Sequence, residues 1–312
     1  MPYAITGSIT LIAFLLHLVG CYLLWKTYKW GRVTTQQLLI FHICICECFI
    51  NCDWLVIHLF VVIGYGIDST SAGYCIVLYT ALSGVLYIIM MVMTLDRLMA
   101  VVLSLKYPLY WNAKRTKKVL LAVWIIGGAS FICFVVLFKF YGPWYNKVEL
   151  IYVNVSLSLL YIIVALVTYA VIFDKFKKSR HSTRRLKQDI GKRAWTALAD
   201  TFLKSRFYVS ILIILTYLIF NTIPFCVFIF SRDKNIFLDT ESISKKVVSI
   251  LLHIGYTADA VIYIFLQRDV KKQLFESISC HKCIKGKIRS TSTIPNQIYR
   301  INNKIAITTT AL

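Results

Sequence analysis

Seven apolar runs of about 20 residues or more recur along this chain, at about 6 to 25, 38 to 63, 74 to 103, 118 to 138, 150 to 173, 207 to 230 and 244 to 266. A helix rises 1.5 Å per residue, so about 20 residues cross a bilayer core and each run is long enough to do so. Inside hydrocarbon every backbone polar group must be bonded within its own segment, which makes each run a helix. The expected fold is an all-α membrane protein, a bundle of seven transmembrane helices. Composition agrees: 58% hydrophobic residues and a mean hydropathy of +0.69 exceed what a soluble core of 312 residues could bury.

The net charge of +21 could point to nucleic acid, but the basic residues stand in short blocks between the apolar runs. That placement is the signature of membrane topology, and no nucleic-acid partner is expected. Lys26, Lys29 and Arg32 follow the first run, so that end should remain in the cytoplasm, with the amino terminus outside. Of the 35 Lys and Arg residues, 29 then fall in cytoplasmic segments and six in outer ones, so the loops agree with one another. The first run has no basic residue before it and no convincing cleavage site after it, and reads as a retained helix rather than a signal peptide. A multi-pass protein of the plasma membrane is expected.

Neither a linker nor an internal repeat divides the apolar array, so residues 1–266 read as one membrane domain. Within 267–279, the stretch DVKKQLFESI has an amphipathic pattern and should lie as a short helix along the inner membrane surface, and 280–312 form a disordered tail. The basic segment 174–206 either continues helices five and six or lies as a strip on anionic lipid. Most of the ten cysteines fall within apolar runs, which implies no disulfide framework. Residues two apart on a helix cannot converge, so Cys44, Cys46, Cys48 and Cys52 read as small packing residues. Cys280 and Cys283 follow the juxtamembrane stretch, either as S-palmitoylation sites or as unmodified thiols.

Four motifs, in order, resemble those of the rhodopsin-like (class A) G-protein-coupled receptor family. TLDRLMAVVLSLKYPLYW resembles the Asp-Arg-Tyr motif and the loop after it, with Asp96 and Arg97 matching and Leu98 in place of Tyr. Trp124 stands near the family's helix-four tryptophan, and Tyr169 in YAVIFDKFKK matches the helix-five tyrosine. TADAVIYIFLQRDVKKQLF resembles the Asn-Pro-x-x-Tyr motif and its following helix: Tyr263 matches, Asp259 stands for Asn and Ala260 for Pro. HICICE aligns Glu47 with the helix-two acid, and FNTIPF keeps Pro224 and Phe225 while placing Thr222 at the toggle tryptophan. The match is to a divergent orphan member. Ala72 occupies the usual disulfide position, Cys75 lies one turn deeper, Tyr161 replaces the helix-five proline, and Gly20-Cys21 stands for Gly-Asn.

The resemblance implies a receptor, not an enzyme, that binds an extracellular ligand within the bundle and activates a heterotrimeric G protein. Arg97, released from Asp96, would line the cytoplasmic cavity with Tyr169 and Tyr263, while helix six swings about Pro224. Lys204 stands where relatives carry a restraining glutamate and would repel Arg97, which implies raised basal signalling; Asp200 lies one turn further out. Glu47 and Asp259 would form an acidic dyad sharing a proton or a weakly held sodium ion, with apolar Leu86 in place of a third ligand. His253 stands where an opsin has its lysine, so no retinal is expected; Tyr79 stands at the amine-binding carboxylate. The implied ligand pocket is Tyr79, Ser83, Phe225, Phe228, His253 and Tyr256. Membrane lipids are expected partners, as are arrestin at Ser290, Thr291, Ser292 and Thr293, and a PDZ domain at Thr310-Ala311-Leu312. The alternative is a seven-helix transporter or ion channel using Glu47, Asp53 and Asp259, because carboxylates are costly in a membrane and mark interior or aqueous faces. A hydrolase is disfavoured, since His17, His42, His58 and His253 have no recognisable metal-ligand spacing.

Overall fold

The computed structural model describes residues 2–30, 34–63, 69–103, 106–141, 143–185, 212, 215–223 and 243–265, with some side chains at helix ends excepted. The chain divides into a unit of Met1–Gln267 and a second of Arg268–Leu312, the latter outside the described residues. The elements are α1 (Pro2–Trp30), α2 (Thr35–Val62), α3 (Ser69–Leu103), α4 (Tyr107–Tyr110), α5 (Ala113–Tyr141), α6 (Pro143–Arg185), a π-helical segment (Leu218–Thr222) and α7 (Ile243–Phe265). No strand occurs among the described residues.

Local chemistry explains several helix starts. At α2, Thr34 Oγ1 accepts from the Gln37 backbone N–H at 3.2 Å while Gln37 Oε1 accepts from the Thr34 N–H at 3.0 Å, a reciprocal capping box. Asn112 Oδ1 accepts from the Arg115 N–H at 3.1 Å ahead of α5. Pro143 opens α6, where its missing N–H costs nothing. The π turn ends two residues before Pro224: the Ile223 N–H bonds to Leu218 O, five residues back, and a widened turn relieves the clash a proline makes with the carbonyl four residues before it.

Among the described residues five helices are long and apolar enough to cross a membrane, over Ile5–Lys26, Thr35–Phe60, Gly73–Leu103, Ala113–Phe140 and Tyr152–Lys175; α7 contains a shorter apolar stretch, Ile250–Ile262. The distribution of side chains is inverted relative to a soluble protein. Leu121, Ile125, Ile126 and Ile132 of α5 and Ile163, Leu166 and Val167 of α6 are exposed, while Glu47, Asp96, Asp259, His17, Asn51 and His253 are buried. Hydrocarbon is the solvent that makes this favourable, and the chain is a multi-pass membrane protein whose described residues are nearly all helical.

Helix α3 is central, packed against α2, α5 and α6. Around it α1, α2, α5, α6, the π segment and α7 follow one another, and α7 returns to α1. Glycines set the close approach of α3 and α5: a Cβ on Gly73 would lie 2.0 Å from Phe138 Cζ, and one on Gly127 2.1 Å from Val85 Cγ2. At the segment ends one expectation changes, and one alternative left open for the basic segment is met in part. The outer loop expected around 139–147 is almost wholly helical, because α5 runs to Tyr141 and α6 starts at Pro143. Helix α6 also continues beyond its apolar run to Arg185, into the basic segment 174–206. The sixth expected span, about 207–230, lies largely outside the described residues.

Candidate functional site

Three polar layers cross the interior of the bundle. The first is aromatic and joins α2, α3 and α7. Tyr79 and Tyr256 hydroxyls meet at 3.2 Å, and Ser83 hydrogen-bonds Tyr79 from one turn along α3. Trp54 packs edge-on against Tyr79 and His253, with ring centroids 5.9 and 5.3 Å away, and stacks on His58 at 6.1 Å. His58 and His253 lie 5.5 Å apart, and His253 meets Tyr256 edge-on. The structure therefore brings together Tyr79, Ser83, His253 and Tyr256 and adds Trp54 and His58. Nearby on α2, buried Asp53 hydrogen-bonds the Cys75 thiol, which supplies the partner that the sequence left unassigned.

The second layer lies deeper. Tyr87, Tyr161 and Tyr217 pack with centroids 6.1 to 6.4 Å apart. Ser158 and Thr222 hydroxyls meet at 2.6 Å, tying α6 to the π segment, and Asn154 Nδ2 donates to Thr80 Oγ1 at 3.1 Å. Glu47 is fully buried and uses both carboxylate oxygens: Tyr217 Oη donates to Oε1 at 3.0 Å, and His17 Nε2 contacts Oε2. His17 Nδ1 lies 2.8 Å from Ala13 O. A carbonyl only accepts, so Nδ1 carries a proton, and the Nε2–Oε2 contact shares a second one. Asp259 is buried within electrostatic reach of Glu47, and among the described residues neither of its oxygens has a hydrogen-bond partner.

A sodium ion between Glu47 and Asp259 would need several oxygen ligands. Glu47 instead faces a nitrogen on one side and a hydroxyl donor on the other, and Leu86 contributes only carbon. Among the described residues, the two groups bonded to the Glu47 carboxylate, an imidazole nitrogen and a donating phenol, do not fit sodium.

The third layer is at the far end of α3. Arg97 Nη2 donates to Asp96 Oδ2, and Tyr107 Oη donates to Asp96 Oδ1 at 2.5 Å. Since the Tyr107 hydrogen is committed to Asp96, the 2.9 Å contact of Thr35 Oγ1 with Tyr107 Oη is a donation from Thr35. Burial, then the bond to Asp96, pushes the Tyr107 phenol up to about 12, so it remains a donor at neutral pH. Asp96 is wholly buried and the Arg97 side chain 11% exposed, which leaves the guanidinium as the accessible member. Trp124 Nε1 donates to His42 Nδ1 at 3.0 Å, joining α5 to α2.

Tyr169 is half-buried on α6 close to Tyr161. Tyr263 lies on α7, its side chain outside the described residues, as are Pro224, Phe225, Phe228, Lys204, Asp200, Cys280, Cys283 and the tail sites at 290–293 and 310–312. The described cysteines are free thiols, and Cys44 and Cys48, four residues apart on one face of α2, both reach Cys21 of α1. Among the described residues no group of three or more His, Cys, Asp or Glu could hold a metal ion.

Sequence reasoning missed His17, Tyr217, Trp54, Tyr107 and Thr35 as members of these layers. His17 carried the clearest signal, an imidazole inside an otherwise apolar run. Compared with known families and curated proteins, the chain matches no family model and no curated protein.

Proposed function

We propose that this protein is a seven-helix receptor of the rhodopsin-like G-protein-coupled type, in the plasma membrane with its amino terminus outside. It takes a ligand at the Trp54–Tyr79–His253–Tyr256 layer and engages a heterotrimeric G protein at the Asp96–Arg97 end. The observation that carries this reading is the pairing of Arg97 with an Asp96 that Tyr107 also holds, at one end of the same central helix whose other half bears Tyr79. The two positions are about 26 Å apart at 1.5 Å per residue, so α3 spans input and output. The ring of elements around α3 and the π turn before Pro224 support it further.

A ligand that binds one arrangement of the aromatic layer more tightly shifts the population toward it. In the favoured arrangement Arg97 leaves Asp96, the sixth apolar run, about 207–230, hinges at Pro224, and the guanidinium presents its donors to the partner. Basic segments near that end favour anionic lipid and acidic partner surfaces. Arrestin and a PDZ domain would take the tail. The buried carboxylates Glu47, Asp53 and Asp259 favour a second reading, an ion-conducting or transporting bundle. Purified protein in nanodiscs, tested for nucleotide exchange on a panel of G proteins, should accelerate exchange for at least one. Ion flux in liposomes with no exchange on any G protein would replace the receptor reading with the transport one.

A further inference from the structure

The interior acid of α2 already has a cation partner supplied by the chain. We propose that His17 is a built-in cation for Glu47, occupying the place a sodium ion would take, so that the bundle core is indifferent to sodium. His17 and Glu47 side chains are both 0% exposed and in direct contact across α1 and α2. The Ala13 carbonyl at 2.8 Å fixes the Nδ1 proton and aims Nε2 at the carboxylate. In this arrangement the second proton rests on Nε2, so a histidinium faces a carboxylate and the pair is neutral as a whole. The other carboxylate oxygen accepts from Tyr217 at 3.0 Å, and the Asn51 amide caps the Glu47 backbone carbonyl at 2.7 Å, so the acid is held at both ends. Among the described residues, the titratable groups facing the pair are the thiols of Cys21, Cys44, Cys46 and Cys48, the phenols of Tyr217 and Tyr256, and the carboxyl of Asp259. None of them supplies a further cation. A metal ion would have to displace an imidazole that Glu47 and the Ala13 carbonyl hold in place.

The same geometry predicts a gain of function on removing the imidazole. Without His17, Glu47 is left ionisable within electrostatic reach of Asp259, and water entering the space where the ring stood would supply, with the two carboxylates, the oxygen ligands that sodium needs. The test needs no G protein, so its failure would leave the receptor reading standing. The thermal midpoint of the purified full chain is measured in NaCl and in KCl at equal ionic strength. The parent should show no sodium-specific shift. His17→Ala should gain a sodium-specific rise of a few degrees, and His17→Ala with Glu47→Gln should lose it. A sodium-specific rise in the parent that Glu47→Gln removes would overturn the proposal, and so would a folded His17→Ala protein that responds equally to both salts. Should His17→Ala fail to fold, nitrogen-15 histidine spectra of the parent decide: a His17 ring protonated at both nitrogens supports the built-in cation, and one bare at Nδ1 or at Nε2 rules it out.

Discussion

Among the described residues, the acid–base pairs His17–Glu47 and Asp96–Arg97 are built differently. The first joins two helices that are adjacent in space but 30 residues apart in sequence, and both side chains are wholly buried. The second joins neighbours on one helix, and its cation is partly exposed. A cross-helix buried pair constrains packing, because separating it leaves a charge in hydrocarbon. A pair of sequence neighbours at a helix end constrains no packing by itself, and its partner can leave for solvent or for another protein. Tyr107 and Thr35 change this by tying Asp96 to α4 and α2, so the resting position of the second pair depends on a hydrogen-bond chain more than on the pair alone. The core pair is therefore structural, and the end pair is suited to switching.

The sharpest way to break this contrast is to orphan the core pair. His17→Leu alone should cost about 3 to 5 kcal/mol, the usual penalty for an uncompensated buried charge, while His17→Leu combined with Glu47→Met should recover most of the loss. Thermal midpoints in KCl read this directly; a double variant no better than the single one would show that the pair is not the unit of stability. Next in size is Tyr107→Phe, which removes a hydrogen bond to a charged group, worth about 1.5 to 3 kcal/mol. If that bond restrains the resting state, ligand-free nucleotide exchange should rise roughly tenfold at matched expression, while Arg97→Ala should abolish exchange. Unchanged basal exchange in Tyr107→Phe would remove the tyrosine from the switch.

Smaller effects sharpen the comparison. Trp124→Phe deletes the bond to His42 and should lower stability by about 0.5 to 1.5 kcal/mol without altering basal exchange, because it touches neither pair. A change in exchange would mean that α5 also sets the switch. Lys204→Glu should restore an acidic partner for Arg97 and lower ligand-free exchange by no more than about fivefold, as an exposed pair worth about 0.2 to 1 kcal/mol allows. Equal basal output from parent and variant would count against the lost-restraint argument and leave the Tyr107 restraint untouched.

Membrane residence and helical state were legible in the chain alone. Both follow from local properties, the length of each apolar run and the need of its backbone to satisfy itself in lipid. Buried carboxylates were legible for the same reason: Glu47, Asp53 and Asp259 could face lipid only at large cost, and all three are buried. The partners of those groups were decided by tertiary structure. Whether His17 meets Glu47, or Cys21 meets Cys44 and Cys48, depends on how α1 is rotated and slid against α2, and a residue's place in its own sequence says nothing about its neighbour's azimuth. Tyr107 shows the same division. Its phenol lies beyond the end of α3 in sequence, and only the return of the chain through α4 brings it back to Asp96 and Thr35.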